Sequence, residues 1–171
     1  MSRKPVFLEP QVLIFDTGPL WELILYSAVH DLGFLSLKPE LTHLQTDSSY
    51  GRLSAYVAGF QKRTTTPHVV AEISSRIRDR TEQKSHSAIW GLVFTEFSSM
   101  KMDEGVMKLL EMPQELVANI GAVDVSVLKL GLSFRRPKPL VLSIDGRLIA
   151  ECKDAGVNAK DLWEVISEEN P

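Results

Sequence analysis

The chain has 171 residues, 44% of them hydrophobic and 24% charged, which suits one globular domain of the usual size of roughly 150 residues and excludes disordered, collagenous and disulfide-stapled classes. Its formal net charge of −3 denies it the global positive field with which a protein grips nucleic acid by charge alone, so any nucleic acid must be met locally or through a metal. The single cysteine, Cys152, can make no intramolecular disulfide and no zinc site without three ligands of another kind, which points to a reducing cytoplasm.

Met1 to Pro10 carries Arg3 and Lys4 but no apolar stretch of the signal-peptide kind. Gln11 to Phe15 is a short apolar run that stops at Asp16-Thr-Gly-Pro19, the grammar of a buried strand meeting a turn. A helix should follow, with Pro19 in its first turn, Leu20, Leu23, Ile24 and Ala28 at helical spacing, and Gly33 as its stop. Asp16, Glu22, His30 and Asp31 interrupt the apolar stretch from Val12 to Leu37, so it predicts no membrane span. Residues 34–50 lack periodicity, after which Leu53, Tyr56, Val57 and Phe60 predict a second helix. The Thr64-Thr-Thr66-Pro67 cluster reads as a break, with Pro67 opening a third helix that runs to about Asp79.

A fourth helix is expected over Ser85 to Phe97. Val106 to Met112 is ambiguous between strand and helix and is read as a strand, Gln114 to Val117 as a helix start, and Asp124 to Leu130 as helical. The proline-broken basic loop Arg135 to Pro139 leads into Leu140 to Ile144, a second buried strand. Asp145-Gly146 and a helix from Arg147 to Ala155, capped by Gly156, come next, and Leu162 to Ile166 reads as a last short strand. Strands alternating with helices predict an α/β fold, with helices on both faces of a mostly parallel sheet. Residues 1–171 are expected to form one domain with an elaboration at about 31–66, and the acidic end from Glu168 to Pro171 is expected to fray.

Both buried apolar strands end in an aspartate, Asp16 and Asp145, at the carboxyl edge of the expected parallel sheet, where open α/β folds place their ligands. Neighbouring carboxylates repel unless a cation sits between them, and a hard divalent ion such as Mg²⁺ or Mn²⁺ is the usual answer. The bland reading is that each acid caps the helix after it. Glu72 and Asp124 add two more acids in apolar surroundings near helix starts, where capping or a dipole interaction is the simpler role of either alone.

In order and context these four acids resemble those of the PIN-domain ribonucleases. The matching motifs are Asp16 in Leu-Ile-Phe-Asp-Thr-Gly, Glu72 in Thr-Pro-His-Val-Val-Ala-Glu-Ile, Asp124 in Ala-Val-Asp-Val-Ser-Val-Leu and Asp145 in Val-Leu-Ser-Ile-Asp-Gly-Arg-Leu. The resemblance spans roughly Val12 to Ile166. It implies a three-layer α/β/α sandwich in which Asp16, Glu72, Asp124 and Asp145 gather into one catalytic pocket that binds Mg²⁺ or Mn²⁺ for endonucleolytic hydrolysis of RNA, with Thr17 and Ser143 as supporting hydroxyls. It also implies, as in the toxins of this family, an antitoxin protein partner and a homodimer. The chain departs from the compact toxins in its long interval between Asp16 and Glu72, and in Leu128-Lys129-Leu130-Gly131 where small alanines are commoner.

His30, His43, His68 and His86 show no metal-ligand spacing, and no phosphate loop, dinucleotide fingerprint or serine-hydrolase elbow is present. Trp21, Trp90 and Trp163 are expected in the core or at an interface. Two basic segments, Arg76 to Arg80 and Arg135 to Lys138, are candidates for phosphate contact against the plainer reading of solvated surface. Arg135, Arg136 and Lys138 are preferred because they enter the strand ending at Asp145. The rival to a nuclease is a non-catalytic PIN-like protein-binding module in which the acids only cap helices or hold a structural ion.

Overall fold

The computed structural model describes residues 12–99, 102–104, 114–135 and 138–167. A parallel five-stranded sheet forms its centre, built from β1 (Val12–Phe15), β2 (Lys62–Thr65), β3 (Met102–Glu104), β4 (Pro139–Ser143) and β5 (Asn158–Asp161) in the order β3-β2-β1-β4-β5. β1 and β4 are buried along their whole length. Their near-continuous apolar composition is that of strands covered on both faces. Pro139 is tolerated as the first residue of β4, where it interrupts the fewest ladder bonds.

From β1 the chain proceeds through α1 (Thr17–His30), a 3₁₀ segment (Leu35–Glu40) and α2 (Asp47–Ala58) to β2. It continues through α3 (Pro67–Arg80) and α4 (His86–Ser99) to β3, and then returns by α5 (Gln114–Ile120) and α6 (Ala122–Ser133) to β4 on the far side of β1. α7 (Gly146–Asp154) leads to β5, and α8 (Leu162–Ser167) closes the described chain. α1 packs with α3 and α4, and α6 with α7, on the two faces of the sheet, giving three layers, the arrangement that the general preference for right-handed crossovers demands of a chain running outward in both directions from β1. Among the described residues no single helix is long and apolar enough to cross a membrane.

Several expectations require correction. Thr64 to Thr66 is not a simple break, because Lys62–Thr65 is an inner strand paired with β1 on one side and β3 on the other. Region 31–66 is therefore only in part an elaboration. β2 carries no apolar run, and its inner end is buried through threonines, with Thr65 Oγ1 donating to the Phe15 carbonyl at 2.9 Å. Leu162 to Ile166 is helical, and the last strand lies just before it in the polar sequence Asn158–Asp161. Trp163 is 58% exposed, not core, whereas Trp21 is buried. The strand expected over Val106 to Met112 lies outside the described residues.

Parallel order reverses at β1, whose two neighbours continue the chain in opposite directions. The carboxyl ends of β1 and β4 flank this switch point, where an open α/β sheet leaves a crevice. Register pairs Phe15 with Leu142, so the next residues along the chain, Asp16 after β1 and Ser143 at the end of β4, stand side by side.

Candidate functional site

Asp16 is buried and is the N-cap of α1. Its Oδ1 accepts from the Thr17 backbone N–H at 2.6 Å, and its Oδ2 accepts from the Ser143 hydroxyl at 2.6 Å. Ser143 Oγ in turn accepts from the Asp145 N–H at 2.9 Å, so one buried hydroxyl ties the ends of β1 and β4 together. Asp145 caps α7, its Oδ1 accepting from the N–H groups of Arg147 and Leu148 at 2.7 and 3.3 Å. Both aspartates therefore do cap helices. Capping occupies Oδ1 of Asp145 and leaves Oδ2 without a hydrogen bond among the described residues, so the cap and a second role are compatible.

Glu72 comes from the second turn of α3, whose N-cap Thr66 accepts from the Val69 N–H while Pro67 sits at the first helical position. Thr66 Oγ1 also lies 2.7 Å from Ser126 Oγ of α6, a buried polar contact that fixes the start of α3 against the helix carrying Asp124. Thr17 Oγ1 donates to Glu72 Oε2 at 2.9 Å, and Arg76, one turn further along α3, donates to Glu72 Oε1 from Nη2 at 2.7 Å and from Nε at 3.2 Å. Asp124 lies in the first turn of α6. Gly121 precedes that helix with φ +91°, a conformation side chains rarely adopt, and the chain turns by 119° between α5 and α6 there.

Asp16, Glu72, Asp124 and Asp145 line one cleft of about 520 Å³, together with Thr17, Gly18, Arg76, Ile144 and residues 120–123. The acids are separated by up to 129 positions in sequence, so their meeting is a property of the fold. Gly18 matters sterically because a Cβ there would meet Ile144 Cγ1 at 2.4 Å, so glycine lets the loop after β4 close over the start of α1. Of the two hydroxyls, that of Ser143 reaches Asp16 and that of Thr17 reaches Glu72.

Charge is uncompensated at the back of this cleft. Burial raises the Asp16 carboxyl above its ordinary range against the lowering bonds from Ser143 and Thr17, and Glu72 and Asp145 push it the same way. Asp124 is pushed up to about 7, chiefly by burial and then by the charges of Asp16, Asp145 and Glu72. A cluster whose carboxyls are raised in this way has less positive charge beside it than its acids call for. Its donors, carboxylate and hydroxyl oxygens, are those a hard divalent cation prefers. Among the described residues no three His, Cys, Asp or Glu side chains are grouped closely enough to form a ready-made ligand set. Mg²⁺ commonly uses only one or two carboxylates and fills the rest of its shell with water and substrate, which this arrangement permits.

The preferred basic segment does not belong here. Arg135 and Lys138 precede β4 and therefore lie at the amino edge of the sheet, one strand length of roughly 16 Å from the acids that follow β4. Arg136 lies outside the described residues. Entering the right strand places a residue at its wrong end. Arg76 is the basic residue in the cleft, and the signal for it was its position one helical turn after Glu72. Of the histidines, His43 approaches Glu22 and His30 stacks on Tyr26, both away from the cleft. Cys152 is a buried free thiol.

No protein-family model, curated protein or solved structure matches the chain.

Proposed function

We propose that this cleft is the active site of a metal-dependent ribonuclease of the PIN type that hydrolyses RNA phosphodiesters. The observation that carries this reading is the convergence of Asp16, Glu72, Asp124 and Asp145 on one cleft at the sheet's switch point, with Asp124 pushed up to about 7 by burial and by its acidic neighbours. Such repulsion destabilises a metal-free fold and is relieved by a bound cation, so a protein without use for the cluster gains nothing by assembling it.

Asp16, Asp124 and Asp145 are the residues that would hold Mg²⁺ or Mn²⁺, with Glu72 joining them when freed from Arg76. When bound, the ion supplies an activated water and neutralises charge developing on the phosphoryl oxygens. Ser143 keeps the Asp16 carboxylate in one orientation and keeps Asp145 beside it. Thr17 orients Glu72 across the opening. No side chain needs to act as a nucleophile.

A non-catalytic binding module is the second reading, favoured by the two helix caps and by the Glu72 to Arg76 pair, which give three of the acids structural partners. Incubation of the chain with labelled single-stranded RNA in Mg²⁺, in Mn²⁺ and in EDTA separates the two. The nuclease reading expects cleavage in one or both metals, none in EDTA, and reduction to background in Asp16→Asn. Cleavage at the wild-type rate by that variant, or none by the wild type in either metal, would overturn it.

A further inference from the structure

Arg76 faces four carboxylates as the one cationic side chain among the described residues that line the cleft. A guanidinium offers five N–H donors in a planar fork. Both hydrogen bonds that Arg76 makes among the described residues end on a single oxygen, Glu72 Oε1, from Nε and Nη2. The other oxygen of Glu72 belongs to Thr17. Among the described residues three donors of the fork are therefore uncommitted beside the site of the proposed reaction.

The pair itself is easily exchanged. Its two side chains are 28% and 33% exposed and stand one helical turn apart, the class of ion pair that contributes least to stability. A phosphate oxygen is at least as good an acceptor as a carboxylate for this fork, and Arg is the residue best suited to planar recognition of phosphate. A net charge of −3 and a cleft rich in acids repel an RNA backbone, so a local cation is needed to bring a phosphodiester to the carboxylates.

Resting on the nuclease reading, we propose that Arg76 is the phosphate-binding residue of the cleft. Its guanidinium exchanges Glu72 for a non-bridging oxygen of the RNA backbone, and Glu72 is thereby released toward the divalent ion. Two opposite effects follow from removing Arg76. RNA loses a contact, whereas the cation gains a freed carboxylate and loses a competing positive charge.

The test measures anisotropy of a labelled single-stranded RNA in EDTA across a range of NaCl concentrations, alongside RNA-free melting curves with EDTA and with Mn²⁺, for wild type, Arg76→Ala and Arg76→Lys. Arg76→Ala should bind RNA about tenfold more weakly, with a slope of log affinity on log salt shallower by about 0.7, the loss of one phosphate contact on a single strand. Its rise in Tm on adding Mn²⁺ should exceed that of wild type. Arg76→Lys should keep most of the salt slope, since it keeps the charge while losing the fork. Wild-type affinity and slope in Arg76→Ala would overturn the phosphate contact, and an unchanged Mn²⁺ response would overturn the exchange. Failure of the nuclease reading appears separately, as absence of cleavage by the wild type, and does not alter the slope comparison.

Discussion

Two carboxylates at the start of the chain are almost equally buried and behave in opposite ways. Glu22, 3% exposed in the second turn of α1, receives the Thr42 hydroxyl at 2.5 Å and the backbone N–H groups of Thr42, His43 and Leu44 at 3.0, 3.1 and 3.0 Å. Burial pushes it up, but these donors more than offset that and hold it below the ordinary carboxylate range. Asp16, 5% exposed at the N-terminus of the same helix, has donors from Thr17 and Ser143 only among the described residues, with Glu72 and Asp145 nearby, and ends above its ordinary range. Burial alone does not decide whether a carboxyl is held below or above its ordinary range. The supply of donors against the supply of like charges does.

The largest effect expected from this comparison is at Glu22. Glu22→Ala strands three backbone N–H groups and a hydroxyl that its carboxylate gathers, and should cost about 3 kcal/mol or more as read by urea unfolding. The loss should be concentrated in residues 41–46, visible as faster amide exchange there. Because the folded group is held low, its contribution is present above the ordinary glutamate range and is lost as pH falls through the folded value, so the variant's deficit should shrink in acid. An unchanged midpoint would show that the 41–46 segment is held by its leucines, not by the carboxylate.

Ser143 tests the other side of the comparison. Its buried hydroxyl is shared between Asp16 Oδ2 and the Asp145 N–H, and Ser143→Ala leaves both without that partner at a cost of about 2 kcal/mol. Removing a donor makes Asp16 less like Glu22 and more strained, so its carboxyl should rise further. Metal-free stability should fall, and the Mn²⁺-induced rise in Tm at pH 6 should shrink because the ion must displace a more tightly held proton. A variant with unaltered Mn²⁺ response would mean that Asp16 does not face the cation.

Why Asp16 and Asp145 were legible and Glu22's role was not follows from what surrounds them. Each aspartate ends an apolar strand, Val12–Phe15 or Pro139–Ser143, and strand ends are easy to place because burial on both faces demands an uninterrupted apolar run. Glu22 takes its donors from 42–44, in a stretch with no periodicity, so nothing local announces the pairing. β2 and β5 escaped because Lys-Arg-Thr-Thr and Asn-Ala-Lys-Asp carry no hydrophobic signature. Their place in the sheet comes from pairing with β1 and β4. Leu162 to Ile166 has strand-like composition, and the chain coils it into a short helix that buries Leu162, Val165 and Ile166. Arg135 and Lys138 stand away from the acids because they precede β4, whose direction carries its other end to the cleft. In a parallel strand one end faces the crevice and the other faces away.

The smallest effect concerns Asp124, which lies in the cleft among like charges and receives no hydrogen-bond donor among the described residues. Its carboxyl titrates near 7 in the fold against 3.8 for an ordinary aspartate. Below about pH 4 both folded and unfolded chains carry the proton, and the group contributes nothing to the pH dependence of stability. Between there and pH 7 the unfolded chain gives up the proton while the folded one keeps it, so the unfolded state binds fewer protons and stability falls as pH rises. Above 7 both states are ionised and the whole penalty is present. Asp124→Asn removes the titration and keeps the shape. It should match wild type near pH 4 and exceed it at pH 8, by no more than the order of 1 kcal/mol because the site is partly open to solvent. A divalent ion binds the ionised form, so Mn²⁺ should erase the wild type's decline between pH 5 and 7 and leave the variant nearly unmoved. Parallel melting curves of the two proteins across pH 4 to 8, with EDTA and with Mn²⁺, would contradict the charge-coupled cleft if the gap between them did not widen with pH.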